Sequence, residues 1–274
     1  MNDRIGVPRM DGQRLLDQVS ALVREVARVE ILPRYLKVAR QHKSDGSLFT
    51  EADVAAQQAL VKGLAAIADA PVLGEEMSSE EQHAHWDAGA NGLWCVDPID
   101  GTSNFVNGIA YFAVSVAYLV HHRPVIGVVY DPVGDALFCA RKGGGAFVNG
   151  EPLPLSQRVP SLRRAMAGID FKRVGPKLAR ELAANPPFCS QRNFGASTLD
   201  WCNIAAGRLN VYLHGGQRLW DFAAGSLILA EAGGSMCTLD KEDFWSAEVW
   251  QRSVVAALDP GLFSAWRAWV RANS

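Results

Sequence analysis

The chain is poor in cysteine, has no excess of positive charge and contains no long apolar run. Its five cysteines (Cys95, Cys139, Cys189, Cys202 and Cys237) are odd in number and scattered, with no pair at CxxC spacing. That pattern excludes a disulfide framework and a cysteine-based zinc site, and it fits a reducing compartment. The 27 Lys and Arg against 29 Asp and Glu leave a formal net charge of -2. Binding nucleic acid by neutralising phosphates requires a basic excess, so this balance argues against such a partner. The longest apolar run, Tyr111–Val120, covers half a membrane span and is closed by His121-His122-Arg123-Pro124. Met1–Met10 is polar, carries Arg4 and Arg9, and lacks the apolar centre of a signal peptide. The expected setting is the cytoplasm, with no membrane partner. Internal repeats and low-complexity tracts are also missing.

What remains is globular in composition. The 274 residues are 49% hydrophobic and 20% charged, enough for a sizeable core and two domains. Leu15, Val19, Leu22 and Val26 recur at helical spacing, widened by Leu16 and Val23, and Pro33 is expected to end or kink that helix. A second helix is predicted from Glu51 to Ala68. Two short strands follow, Val72-Leu73 and Leu93–Val96, and each runs directly into acidic residues. Tyr111–Val120, Val125–Tyr130, Ala136–Ala140 and Ala146–Val148, separated by turn-forming segments, predict an antiparallel meander with helices on one face. Pro152, Pro154 and Pro160 mark a boundary, giving expected domains 1–152 and 153–274. Beyond it, strands Ala165–Ile169, Val211–Leu213 and Val254–Ala257 alternate with helices near 176–184, 198–206, 221–232 and 260–271, an α/β pattern.

The most informative stretch is Asp97-Pro98-Ile99-Asp100-Gly101-Thr102. Pro98 biases Asp97 towards an extended backbone, so its carboxylate leaves the strand end. Gly101 lets the chain turn sharply behind Asp100, and Thr102 or Ser103 can then open a short helix. Carboxylates beside free helix N–H groups suit an anion together with its counter-cations, and phosphate with magnesium is the natural occupant. An EF-hand is excluded, because its twelfth position would be Gly108. Other acidic residues have plainer alternatives. Thr50-x-x-Asp53 is also a helix capping box, Glu75-Glu76 could be solvated surface, and Asp221 could cap the helix that follows it. Two carboxylates at 4 Å repel by about 1 kcal/mol in water and roughly 4 kcal/mol near a protein surface. Four that converge therefore need cations between them.

The hexapeptide Asp97–Thr102 resembles the signature of the inositol monophosphatase family, magnesium-dependent and lithium-sensitive phosphatases. Gly74-Glu75-Glu76, Thr50-Glu51-Ala52-Asp53 and Trp220-Asp221-Phe222-Ala223-Ala224-Gly225, the last running into Glu231-Ala232-Gly233-Gly234, match further family motifs in order. The resemblance spans residues 12 to 260. It implies an α/β (α+β) protein of five layers, an α-β-α-β-α sandwich, the inositol monophosphatase/sugar phosphatase fold. It also implies two or three Mg2+ ions, a homodimer and a small phosphorylated metabolite as substrate. Glu75, Asp97 and the Ile99 carbonyl would hold one ion, and Asp97, Asp100 and Asp221 another. A metal-activated water, oriented by Glu75 and the Thr102–Asp53 pair, would attack phosphorus, while the N–H groups of Gly101 and Thr102 hold the phosphate.

The substrate pocket departs from the family pattern. Arg192-Asn193-Phe194-Gly195-Ala196-Ser197-Thr198 resembles the strand–Gly–helix segment whose backbone and small residues, here Gly195, Ala196 and Ser197, face the sugar. Val211-Tyr212-Leu213-His214, however, carries His214 where inositol monophosphatases carry a glutamate that bonds inositol hydroxyls. A neutral imidazole offers one acceptor and a protonated one offers none, so His214 is expected to shift substrate choice; a charged ring would favour a second anionic group. Lys43-Ser44-Asp45-Gly46 resembles a segment of histidinol-phosphatase and 3′(2′),5′-bisphosphate nucleotidase relatives, the alternative activities. A reading from another class is a regulator that binds RNA or a transcription complex. Gly143-Gly144-Gly145 reads as a hairpin turn, His83, His85, His121 and His122 as surface residues, and Trp266 and Trp269 as packing on the body of the fold.

Overall fold

A computed structural model describes residues 12–37, 41–42, 48–155 and 161–274. The expectations for Met1–Met10, Lys43–Gly46 and Pro160 lie outside the described residues. Helix α1 (Gly12–Val26) buries Leu15, Leu16, Val19, Val23 and Val26, the stripe that the spacing predicts. It gives way before Pro33 to a wider π turn, Ala27–Ile31, and then to a 3-10 turn, Leu32–Arg34. Pro33 sits in the first turn of the latter, where its missing N–H leaves no bond unmade. A short antiparallel pair, β1 (Gln41–His42) and β2 (Leu48–Phe49), precedes α2 (Glu51–Ile67), β3 (Val72–Gly74) and α3 (Ser79–Ala88).

Next come β4 (Leu93–Asp100), the short α4 (Thr102–Asn107), β5 (Ala113–Val120) and β6 (Arg123–Asp131). β7 (Ala136–Arg141), β8 (Ala146–Val148) and β9 (Glu151–Pro152) complete a seven-stranded sheet in the order β3-β4-β5-β6-β7-β8-β9. It is antiparallel from β4 onward, as expected of a meander, with β3 added parallel to β4. The turn at Gly143–Gly145 between β7 and β8 is the hairpin expected, with the Gly143 and Gly145 N–H groups donating to the Glu231 carboxylate.

The chain then runs through β10 (Met166–Asp170), α5 (Pro176–Ala184), β11 (Ser190–Arg192), α6 (Ser197–Ala205) and β12 (Val211–Gln217). It ends with α7 (Leu219–Glu231), β13 (Ser235–Cys237), β14 (Arg252–Ala257) and α8 (Pro260–Asn273). The second sheet has five strands in the order β11-β10-β12-β14-β13. β10 is parallel to both neighbours, and β14 is antiparallel to both of its own. Strands β1, β2, β9, β11 and β13 and helix α3 went unpredicted. These strands are two or three residues long, too short to show a period of two.

The layers are α1 with α2, the seven-stranded sheet, α6 with α7, the five-stranded sheet, and α5 with α8. Three hydrophobic clusters fill the spaces between them. This is the five-layer α-β-α-β-α sandwich. The expectation of helices on one face of the meander needs correction, because α7 packs on its second face. β5 records both faces. Val114 and Val116 join the cluster under α1 and α2, whereas Ala113, Ala117 and Leu119 join the central one. A strand buried on both faces reads as a continuous apolar run. The run at Tyr111–Val120 is therefore interior to one chain and gives no support to a dimer.

Trp201 of α6 is fully buried in the central layer, and its Nε1–H donates to Gln217 Oε1 at 3.0 Å. Trp266 of α8 is likewise buried and donates to the Tyr212 carbonyl, in line with its expected packing role. The four histidines set aside lie at the surface, His83 and His121 exposed and His85 and His122 half-buried. Among the described residues no helix is long and apolar enough to cross a membrane. Replacing Trp201 by alanine should lower the unfolding free energy by about 3–5 kcal/mol. Urea denaturation reads this as a lower midpoint at an unchanged slope. A loss below about 1 kcal/mol would mean that the central layer is not a cohesive core.

Candidate metal and phosphate site

The site begins at the end of β4. The pairing of β4 with β5 slips register between Asp97 and Asp100, so Pro98 occupies a position that needs no ladder donor. Within that bulge, Asp97 Oδ1 accepts the Ile99 N–H at 3.1 Å. Gly101 follows at φ 90, in the left-handed region. A Cβ there would lie 3.1 Å from both the Tyr111 oxygen and the Ala196 Cβ, so glycine is required by conformation and by space. α4 then opens at Thr102. Its hydroxyl lies 3.1 Å from the Ile99 carbonyl and 3.5 Å from Asp53 Oδ1, and donates to one at a time.

Asp53, Asp221 and Asp100 are each anchored at a helix start. Asp53 closes the capping box of α2, accepting from the Thr50 N–H at 2.7 Å and the Thr50 hydroxyl at 2.6 Å. The cap and the link to Thr102 therefore coexist in one side chain. Asp221 accepts the Arg218 N–H at 2.8 Å at the start of α7. Asp100 belongs to β4 yet serves α6, accepting from the Thr198 N–H at 2.7 Å and the Thr198 hydroxyl at 2.6 Å. α6 has no cap from its own preceding residue Ala196. A carboxylate from the other sheet does that work, and the positive end of the helix favours its charge.

One oxygen each from Asp97, Asp100 and Asp221 lies within 4.8 Å of the others. Asp97 is 1% exposed and Asp100 8%, with Asp221 half-buried. Burial, then the charges of Glu75, Asp100 and Asp221, pushes the Asp97 carboxyl well above the ordinary range. Asp221 is likewise pushed well up, by burial and then by Asp100. Burial raises Asp100 to about 6, against the opposing hydrogen bonds from Thr198. Hard oxygen donors that repel one another, few in number and short of water, fit a small divalent cation. The residues present thus suit magnesium.

Glu75, Asp97, Asp100, Gly101, Thr102 and Asp221 line one cavity of about 480 Å³. Gly195, Ala196, Ser197 and His214 line it as well, so residues more than a hundred positions apart share a wall. Two singled-out residues do not reach it. Asp53 is buried and connects through Thr102, and Ile99 is fully buried with its carbonyl facing the Thr102 hydroxyl. The cavity also takes in Asn193, from the segment the resemblance singles out, and Ser103, Asp170, Arg173 and Asp200, whose place in it sequence reasoning missed. For Asp170 a signal existed: it ends strand β10, as Asp97 and Asp100 sit at the end of β4. Asp200 gave none. It is buried, raised to about 8 mainly by that burial, and held by the Tyr111 hydroxyl at 3.0 Å.

Residues 13–269 match the model of the inositol monophosphatase family. The chain is 34% identical over 200 residues to a Nus factor SuhB from Pasteurella multocida, covering 71% of this chain and 73% of that protein. It is 34% identical over 233 residues to inositol monophosphatase 1 of Solanum lycopersicum, covering 82% and 83%. Among solved structures, the Thermotoga maritima IMPase superposes with a TM-score of 0.79 at 28% identity, covering 95% of this chain and 97% of that one.

The raised carboxyls give a pH signature. A folded protein that holds protons above the unfolded carboxylate value of about 4 loses stability as pH rises through its own titration. In chelator, the parent should therefore lose stability relative to an Asp100→Asn variant between pH 4 and 7.5, with Asp100 contributing on the order of 2 kcal/mol. Magnesium should remove the difference by binding the parent alone. Melting temperatures across that range would show it, and parallel curves in chelator would refute it.

Proposed function

The chain belongs to the inositol monophosphatase family, and from that premise we propose that it is a magnesium-dependent phosphomonoesterase acting on a small phosphorylated polyol or sugar. The observation that carries the reading is the convergence of Asp97, Asp100 and Asp221 within 4.8 Å in a cavity. In this reading Glu75, Asp97, Asp100 and Asp221 hold two or three magnesium ions, while the Ile99 carbonyl stays with the Thr102 hydroxyl behind the cavity. Bound magnesium supplies positive charge that polarises the phosphoryl group, acidifies water and stabilises the departing oxygen. The chain's own groups do the positioning. N–H groups of Gly101 and Thr102 at the start of α4 receive the phosphate oxygens. Glu75 and the Thr102 hydroxyl, steadied by Asp53, orient the attacking water. Because Asp97 and Asp221 hold protons to unusually high pH without a cation, binding the metal also displaces protons.

Histidinol phosphate and a bisphosphorylated nucleotide are the competing substrates on the same scaffold. Lithium sensitivity, a homodimer and a cytoplasmic setting belong to the same reading. One observation favours a second role: relatives such as the Pasteurella protein are named Nus factors, which supports contact with a transcription complex. A net charge of -2 speaks against RNA binding through phosphate neutralisation, though not against contact with protein. Asp97→Asn, folded and saturated with magnesium, should lose turnover by roughly 100-fold or more. A parental rate would remove the site assignment. A parent inert towards phosphate esters, together with RNA retention undiminished in Asp97→Asn, would favour the regulatory role.

A further inference from the structure

Helix α3 buries a single residue, and that residue is polar: Gln82, 8% exposed. Without a stripe of buried apolar residues the helix gains little from the core, so its place in the fold has another reason. Its start is fixed by a capping box. The Ser78 hydroxyl oxygen accepts the Glu81 N–H, and the Glu81 carboxylate accepts the Ser78 N–H at 2.9 Å. The first turn of α3 thereby folds Gln82 back over residues 74–77, which follow β3. Gln82 Nε2 lies 3.0 Å from the Gly74 carbonyl oxygen, 3.2 Å from that of Met77 and 3.3 Å from that of Glu75. All three partners accept, so the amide nitrogen faces them and shares its two hydrogens among them.

The same turn is held from its other side. The Glu75 N–H donates to the Val96 carbonyl at 3.3 Å, carrying the pairing of β3 with β4 one residue further. Gln57, one helical turn beyond Asp53 on α2, accepts the Glu76 N–H through Oε1 at 3.1 Å. A Cβ at Gly74 would lie 2.4 Å from that oxygen, so a larger residue there would push Gln57 off the turn. Gln57, Gln82 and Val96 stand outside the cavity, whereas Glu75 lines it. Glu75 is not one of the three carboxylates that converge within 4.8 Å. It nonetheless stands close to them, since its charge, after burial, does most to raise the Asp97 carboxyl. Two carboxylates that repel would swing apart on a loose turn, and a fixed backbone prevents that relaxation.

Resting on the phosphomonoesterase reading, we propose that Gln82 is a positioning residue of the metal site, fixing the turn 74–77 so that Glu75 is held ready to share a cation with Asp97. The purpose of α3 is then to bring one amide to three carbonyls. Its consequence is specific. Loss of the amide should weaken the ion that Glu75 shares with Asp97 and spare the one held by Asp97, Asp100 and Asp221.

Two measurements read this independently: calorimetric titration of magnesium into the substrate-free chain, and the magnesium dependence of p-nitrophenyl phosphate hydrolysis. Gln82→Met keeps the length of the side chain and removes its donors. It should weaken one magnesium-binding step, and raise the magnesium needed for half-activation, by about 10- to 100-fold. At saturating magnesium its KM for the ester should stay within about twofold of the parent, because Gln82 does not reach the cavity. Gln82→Lys, which returns donors to the same carbonyls, should recover most of the magnesium affinity. Melting curves in chelator establish that each variant is folded. Should Gln82→Met not fold, Gln82→Asn, one methylene short of the carbonyls, must show the same shift. Parental magnesium affinity in the folded variant overturns the assignment. An equal shift in Gln82→Met and Gln82→Lys also overturns it, tracing the effect to packing rather than to the donors. A parent that neither binds magnesium nor hydrolyses the ester instead brings down the phosphomonoesterase reading itself.

Discussion

Holding oxygens of Asp97, Asp100 and Asp221 within 4.8 Å of one another, largely out of water, costs the fold free energy that must be offset locally. The offsets are visible in the backbone. Asp100 takes two donors from Thr198 at the start of α6, Asp221 takes one at the start of α7, and Asp97 takes the Ile99 N–H inside its own bulge. Partial protonation relieves the rest when no cation is present, as the elevated carboxyls show. The same features that make the cluster tolerable without metal make it a strong seat for one. Displacing protons and satisfying oxygens are then a single event.

The cluster also joins the two sheets. Asp100 leaves the seven-stranded sheet to cap a helix of the central layer, and Asn104 of α4 donates at 2.7 Å to the carbonyls of both Tyr111 and Phe194. Tyr111 reaches Asp200 of α6, while Asn203 donates to its hydroxyl at 2.8 Å. Polar bonds of this kind have defined lengths and directions, unlike the apolar contacts beneath them. The core holds the layers together, and the polar bonds fix how the end of one sheet meets the other. A cavity that needs groups from both sheets depends on that precision.

Much of this was legible from residue order alone. The stripe of α1, the meander, the break at Gly101 and the capping box at Thr50 are local. Each follows from side-chain period, from a residue with special backbone freedom, or from a hydrogen bond spanning three positions. The acidic residues stand at strand ends and helix starts that the sequence itself marks, but their roles together, that of Asp221 above all, were implied by the resemblance to the inositol monophosphatase family. Short elements such as β11 and β13 escaped, because three residues carry too little pattern.

What the sequence by itself determined, then, was the set of elements and the chemistry of the acidic motifs, both written in spacings of a few residues. Only the tertiary structure decided which elements share a wall. It placed α7 against the second face of the meander, drew Asp100 to the start of α6, and left Asp53 and Ile99 behind the cavity. It also set Asp170 beside His214, a pairing between strands whose register no local pattern encodes. Parallel neighbours are joined through long connections, so their alignment is fixed by packing of the layers around them. The hydrogen bond from the Gly216 N–H to the His214 ring was decided in the same way, by the course of β12.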